Sequence, residues 1–383
     1  RFSGISSAFA SILFVSMPIA PEVVAWPAAS YDLFALFFMQ LTLILYVSFI
    51  ENRKSGFYVG SLACFIAALL SKEVAVTLII ILPGMDLLFR GLFGGEADKY
   101  VIINKDILKS LARRMFPFTL ALLAIFTVRS AGGYYGGPPV RFPYFTLKGT
   151  ARTIWTIFSP MNEAIFSRKE TYIAGGFVFL LFLLSVISIK IYWKNKPSFY
   201  KRSLIFLAFY FLASLIPINF WVFYSGFSHS LQDSRYLYIS MASLISFFAI
   251  GIAEFGMHGR IRKSLCYCII VTTVTFSAIG VIYNNKPWQA AEEICLYVPA
   301  ETRRLLPDPQ PEAQLYFKDV PMWKSAQVFM GEKALSIAIK SVYKREDIDI
   351  YTLSSEEQPP DSNNSYLFVY DPISGQLKLM PTP

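Results

Sequence analysis

The sequence predicts an all-α transmembrane helix bundle followed by a small C-terminal extracytoplasmic α+β domain. Three observations carry this. Apolar residues make up 55% of the chain and charged residues only 16%, against about a quarter charged in ordinary soluble domains. The apolar excess gathers into about nine runs of roughly 15 to 23 residues, the length that crosses a bilayer as a helix. After Tyr283 prolines and charges become frequent and the apolar runs shrink to strand length. The expected domains are therefore 1–283 in the membrane and 284–383 outside it.

The runs are Ile5–Ile19, Tyr31–Ile50, Phe57–Leu70, Val74–Phe89, Met115–Val128, Tyr172–Trp193, Ser203–Phe223, Leu237–Phe255 and Ser264–Tyr283. Each must be helical, because lipid offers no partner for an open backbone N–H or C=O. Several are short, which puts their flanks in the interface. Pro83 and Pro217 lie inside runs, and each removes one helix hydrogen bond.

The formal charge is +9, and Lys and Arg collect in short loops. Arg53 and Lys54; Arg90 to Arg114; Lys194 to Arg202; and Arg260 to Lys263 fall in alternate connections, which reads as the cytoplasmic side. The connections Ala20–Ser30, Ser71–Glu73, Ser130–Thr171 and Tyr224–Tyr236 then lie on the extracytoplasmic side. Ser130–Thr171 carries several cations of its own but is long, and the charge bias is weaker in long loops. No basic helix or aromatic–basic platform is present, so nucleic acid is not an expected partner. Of the four cysteines, Cys64, Cys266 and Cys268 sit in apolar runs and Cys295 stands alone; no disulfide framework or zinc spacing follows. His229 and His258 are far apart, which argues against a His-based metal site. The chain begins at Arg1 and directly enters an apolar run, which reads as a start inside a longer protein.

In the long loop, Gly132 to Pro139 reads as irregular backbone. A helix follows with Leu147, Ala151, Ile154, Trp155 and Phe158 on one face. Two readings stand: a helix flat in the headgroup layer, or one packed on the bundle. Beyond Tyr283, Ala313–Lys318, Gln327–Met330, Ile348–Leu353, Tyr366–Tyr370 and Gln376–Met380 read as strands and Lys333–Tyr343 as a helix. Asn363-Asn364-Ser365 fits a glycosylation sequon, a short and unspecific pattern.

Ionisable groups at membrane depth are costly unless paired or hydrated. Glu22, Asp32, Lys72, Glu73, Asp233 and Arg235 all fall at the extracytoplasmic ends of runs. A bundle can bring them around one cavity. Lys72 and Glu73 form a hinge between two spans, and read either as interfacial snorkelling or as an anion site. Arg235 opens a helix whose dipole favours anions, a fitting phosphate clamp. Tyr236 and Tyr238 fit an aromatic belt. The carboxylates of Glu22 and Asp32 read as binding a hydroxylated substrate, pairing with Lys or Arg, or capping a helix, with the cap preferred for Asp32; Asp233 reads as a cap or first-turn acid.

Three segments taken together resemble the GT-C membrane glycosyltransferases. They are M-P-I-A-P-E-V-V-A-W-P-A-A-S-Y-D-L from Met17 to Leu33, L-S-K-E-V-A-V-T-L-I-I-I-L-P-G-M-D-L-L from Leu70 to Leu88, and S-R-Y-L-Y-I-S from Ser234 to Ser240. The nearest branch is that of the protein O-mannosyltransferases with tetratricopeptide tails and their bacterial relatives. The resemblance covers the membrane part and rests on motif order. Met17 stands where the family has His, Ser30 where it has Arg, and no tetratricopeptide repeat follows. The resemblance implies a GT-C-like fold and a polyprenyl-phosphate-linked sugar donor. The sugar would pass to a hydroxyl of a protein, lipid or glycan on the extracytoplasmic face. It implies that Lys72 and Arg235 hold the donor phosphate and that Glu22, Glu73 and Tyr238 belong to the substrate site. The family's catalytic acid, with which a divalent metal is sometimes associated, lies in a loop upstream of Arg1. The expected location is a bacterial inner membrane or an endoplasmic reticulum. A carrier of lipid-linked sugars and a non-catalytic subunit are the other classes considered.

Overall fold

The computed structural model describes residues 4–25, 29–89, 105–132, 147–159, 161, 165–221, 235–257, 259–322, 326, 328–329, 332–354, 357–360 and 364–381. The chain divides into two compact units, Arg1–Asn284 and Asn285–Pro383.

The first unit is helical. Its elements are α1 (Gly4–Val15), α2 (Ala20–Ala25), α3 (Ser30–Asn52), α4 (Ser55–Ser71), a 3-10 turn (Glu73–Thr77), α5 (Leu78–Phe89), α6 (Lys105–Ala131), α7 (Leu147–Phe158), α8 (Arg168–Tyr192), α9 (Ser198–Trp221), α10 (Arg235–Gly256) and the start of α11 (Arg260–Leu305). Every apolar run read from the sequence falls largely on helix; the first leaves it after Val15, and the end of the run Ser203–Phe223 lies outside the described residues. Six helices among the described residues, α3, α6, α8, α9, α10 and α11, are long and apolar enough to cross a membrane. Helices α1 and α4 and the 3-10 turn with α5 are shorter. Large apolar side chains such as Phe37, Val128, Ile187 and Val271 face outward on these helices, a surface suited to lipid.

Two boundaries differ from expectation. Helix α6 starts at Lys105, so Lys109, Arg113 and Arg114 are helical rather than looped; long cationic side chains are good helix formers and reach sideways from a helix end. Helix α11 runs on through Pro287 and Pro299 to Leu305, well past the end of the apolar run at Tyr283.

Packing follows small residues and aromatics. Arg53 adopts a left-handed conformation (φ 56°) as C-cap of α3 and turns the chain into α4. Phe118 of α6 meets Tyr46, Tyr58 and Phe65 edge-on at 6.0, 5.7 and 5.3 Å, a favoured aromatic geometry. Helices α8 and α10 cross at Gly251, where an added Cβ would stand 2.7 Å from the Ser185 Cα. Helix α7 packs on α8: Trp155 lies under Gly175, Phe158 touches Phe179 and Phe182, and Thr153 and Thr156 are buried. Of the two sequence readings, the packed helix is the one observed.

The second unit holds the expected small sheet and helix. Strands β1 (Gln314–Lys318), β2 (Asp349–Leu353), β3 (Ser365–Asp371) and β4 (Gln376–Met380) order as β2-β1-β3-β4. Strand β1 pairs parallel with β2 and β3, and β4 closes antiparallel on β3. Helix α12 (Glu332–Tyr343) is the crossover between β1 and β2. Its Leu335 and Ile339 join Leu315, Phe317 and Phe368 in the core, with Val298 of α11. The strand expected at Gln327–Met330 is not one. Val328 and Phe329 both donate their N–H to the Met322 carbonyl (3.1 and 3.3 Å) and are buried consecutively rather than alternately. Gln327 and Met330 lie outside the described residues, as does Asn363 of the sequon. Arg345 clamps the loop before β1, pairing with Asp347 at 2.6 Å and donating to the carbonyls of Pro309 and Gln310.

Replacing Gly251 by Val should cost about 1–3 kcal/mol by forcing α8 and α10 apart, whereas Gly176→Val, at a position with nothing within 4 Å, should leave the melting temperature in detergent nearly unchanged. A second expectation concerns pH. The Arg345 hydrogen bond holds the Asp347 carboxyl well below its ordinary value of 3.8. A depressed folded value stabilises above that ordinary value and is lost as pH falls below it. Asp347→Asn should therefore speed amide exchange at Gln310 and Glu312 at pH 6, and the difference from the native chain should narrow at pH 3.

Candidate functional site

Three acid–base pairs gather at one end of the first unit. Lys72 ends α4 in extended backbone, and its Nζ lies 3.0 Å from Oδ2 of Asp32 in the first turn of α3. Arg235 opens α10 and meets Glu22 of α2 twice: Nη1 donates to Oε1 at 3.0 Å and the backbone N–H donates to Oε2 at 2.9 Å. Glu73, next to Lys72, lies 3.8 Å from Nη1 of Arg129 at the end of α6. The Asp32 carboxylate also feels the charges of Arg235 and Glu73, so the groups share one electrostatic field. Four of the five expected site residues, Glu22, Lys72, Glu73 and Arg235, are thus brought together. Tyr238 stands one turn below Arg235, buried with its ring 4.8 Å from Phe14 of α1. Asp233 lies outside the described residues.

The arrangement corrects the preferred reading of Asp32 and decides among those of Glu22. Asp32 is not a cap: Ala29 holds that position without a side-chain bond, and the carboxylate reaches instead to Lys72. Burial explains this, because an acid only 1% exposed must find a cation rather than water. Glu22 takes the pairing and capping roles together. Its carboxylate occupies the anion position made by the first N–H of α10 and the Arg235 side chain, where the dipole favours negative charge. Glu22 acts as the cap of α10 from 213 residues away.

Arg129 belongs to this end and was missed in the sequence. It also donates to the Leu69 and Leu70 carbonyls at 2.8 and 3.1 Å, closing the C-terminus of α4. A lone cation ending an apolar run was its signal. A second charged set was missed at the opposite end. Asp86 of α5 pairs with Arg114 at 3.2 Å and accepts from the Tyr46 hydroxyl at 3.1 Å. Glu254 of α10 pairs with Lys196 at 2.6 Å and accepts from Tyr200 at 3.2 Å. Both acids sit inside apolar runs, a pattern that marks paired or functional groups.

Below the first set runs an apolar groove. One cavity of about 520 Å³ is walled by Phe14, Leu36, Gln40, Leu43, Tyr210 and Ser243 among others. It shares Ala10, Val47, Met85, Phe206, Leu207 and Ser246 with a second of about 340 Å³ that reaches Ser6, Phe89 and Ser203. Leu36 is one helical turn from Asp32, and Phe14 packs on Tyr238, so the groove begins directly beneath the charges. Gln40 Nε2 donates to the Tyr210 hydroxyl at 3.0 Å within it. Among the described residues no three His, Cys, Asp or Glu side chains converge, and Glu22 and Asp32 each face a cation. No family model, curated protein or solved structure matches the chain.

The Asp32–Lys72 pair yields a stability test. Lys72→Met strands a buried carboxylate and should cost about 3–5 kcal/mol; adding Asp32→Asn should restore most of it. Equal melting temperatures for the single and double variants would show that the pair does not act as a unit.

Proposed function

We propose that this protein is a GT-C-like membrane glycosyltransferase that moves a sugar from a polyprenyl-phosphate-linked donor to an acceptor hydroxyl on the extracytoplasmic face. The observation that carries the reading is that Lys72 and Arg235, from separate motifs, both act on the Asp32 carboxylate, one helical turn above an apolar groove. A headgroup phosphate fits the cationic end, and an isoprenoid tail fits the groove below it. The motif order from Met17 to Ser240 supports the same reading.

The reaction is an inverting displacement. The acceptor oxygen attacks the anomeric carbon while the bond from that carbon to the phosphate oxygen breaks. A carboxylate takes the acceptor's proton. Lys72 and Arg235 stabilise the negative charge growing on the departing phosphate. On this reading the C-terminal unit is extracytoplasmic, as the alternation of cationic loops in the sequence predicts. A second reading, a carrier of lipid-linked sugars, is favoured by the continuation of the groove to Ser6 and Ser203 near the far end.

Reconstituted into liposomes with lipid-linked sugars, the protein should transfer sugar to an added acceptor. Arg235→Ala removes the side-chain cation while keeping the backbone N–H, and should slow transfer about 100-fold. Movement of a fluorescent lipid-linked sugar across the bilayer without transfer would replace the enzyme reading with the carrier reading. Labelling that puts positions 72 and 235 on opposite bilayer faces would remove both.

A further inference from the structure

We propose that Glu22 is a resident stand-in for the ligand's phosphate, holding Arg235 and the N-terminus of α10 until an anionic headgroup displaces it. The inference rests on the phosphate-binding reading above and adds a gate to that site.

The geometry is that of an anion already bound. Oε1 takes the guanidinium and Oε2 takes the backbone N–H of the same residue, at 3.0 and 2.9 Å. Two oxygens of a phosphate can accept the same two donors. Charge points the same way. The three pairs at this end comprise three acids and three bases, a formal sum of zero. A phosphate added to that set meets no net attraction, whereas a phosphate exchanged for a carboxylate keeps the bases matched.

Glu22 is also the carboxylate placed to move. Asp32 sits in the first turn of a 23-residue helix and cannot leave Lys72 without shifting that helix. Glu22 sits on α2, six residues long, with Pro18 just before it and Pro21 inside it. Val24 of the same segment is 66% exposed, so α2 has one buried face and one open face and is held from one side only. The ligand thus arrives by replacing one oxyanion with another, and no cation is stranded at any stage.

Binding of a polyprenyl monophosphate and of inorganic phosphate to the full chain in nanodiscs tests this. Glu22→Gln keeps the side-chain shape and removes the charge. It should bind the lipid roughly tenfold more tightly than the native chain. A gain for both ligands would support exchange at the headgroup alone, and a gain for the lipid only would support exchange coupled to the tail. Equal affinity in the two proteins overturns the gate and leaves the phosphate reading standing; no binding by either protein overturns both. Should Glu22→Gln fail to fold, the native chain supplies the test. Amide exchange in α2 should rise when the lipid phosphate is added, and unchanged or slower exchange overturns the gate.

Discussion

A buried charge must find an opposite charge, and this requirement organises the first unit. Glu22 with Arg235, Asp32 with Lys72, Asp86 with Arg114 and Glu254 with Lys196 each bury an acid against a base. Apolar contact alone discriminates poorly among helix partners in lipid, since the acyl chains are as apolar as the side chains. The ion pairs are specific. They tie α2 to α10, α3 to the end of α4, α5 to α6, and the segment before α9 to the end of α10. The close approach at Gly251 and the aromatic cluster around Phe118 then fill in around contacts that charge has already selected.

The helices were legible because their signal is local. A run of apolar residues reports its own length, and lipid allows it only one backbone form. The strands β1 to β4 were legible for a similar reason, since turn residues bound each of them. Gln327–Met330 misled because a short apolar run has no reading without its surroundings: Val328 and Phe329 fold over the Met322 carbonyl instead of joining the sheet. The length of α11 misled in the other direction, since two prolines and a polar stretch looked like an end.

The site was legible by residue but not by role. Lys72, Glu73, Glu22 and Arg235 stood out as ionisable groups at the ends of apolar runs. Their partners did not, because pairing is decided by packing between segments up to 213 residues apart. Asp32 shows the difference most clearly. Its position at the start of a run suggested a cap, a local role, and burial beside Lys72 gave it a distant one. Arg129 carried the same kind of signal at the same end, and Asp86 and Glu254 carried it at the opposite ends of their runs.

The pairs create a tension between stability and function. The cations suited to a phosphate are those that neutralise buried acids, so a ligand that merely attracts them would leave a carboxylate stranded. Losing one partner of such a pair costs about 3–5 kcal/mol, comparable to what a modest anion site returns. A neutral sugar cannot meet that cost, and a free phosphate meets it only in part. A lipid-linked phosphate brings both an oxyanion for the cations and a tail for the groove, where each buried methylene adds about 0.8 kcal/mol. The closed ion-pair set therefore favours ligands that carry both features on one molecule. On the proposed reading, that coupling of headgroup to tail is how the rim would discriminate against soluble anions without a lid.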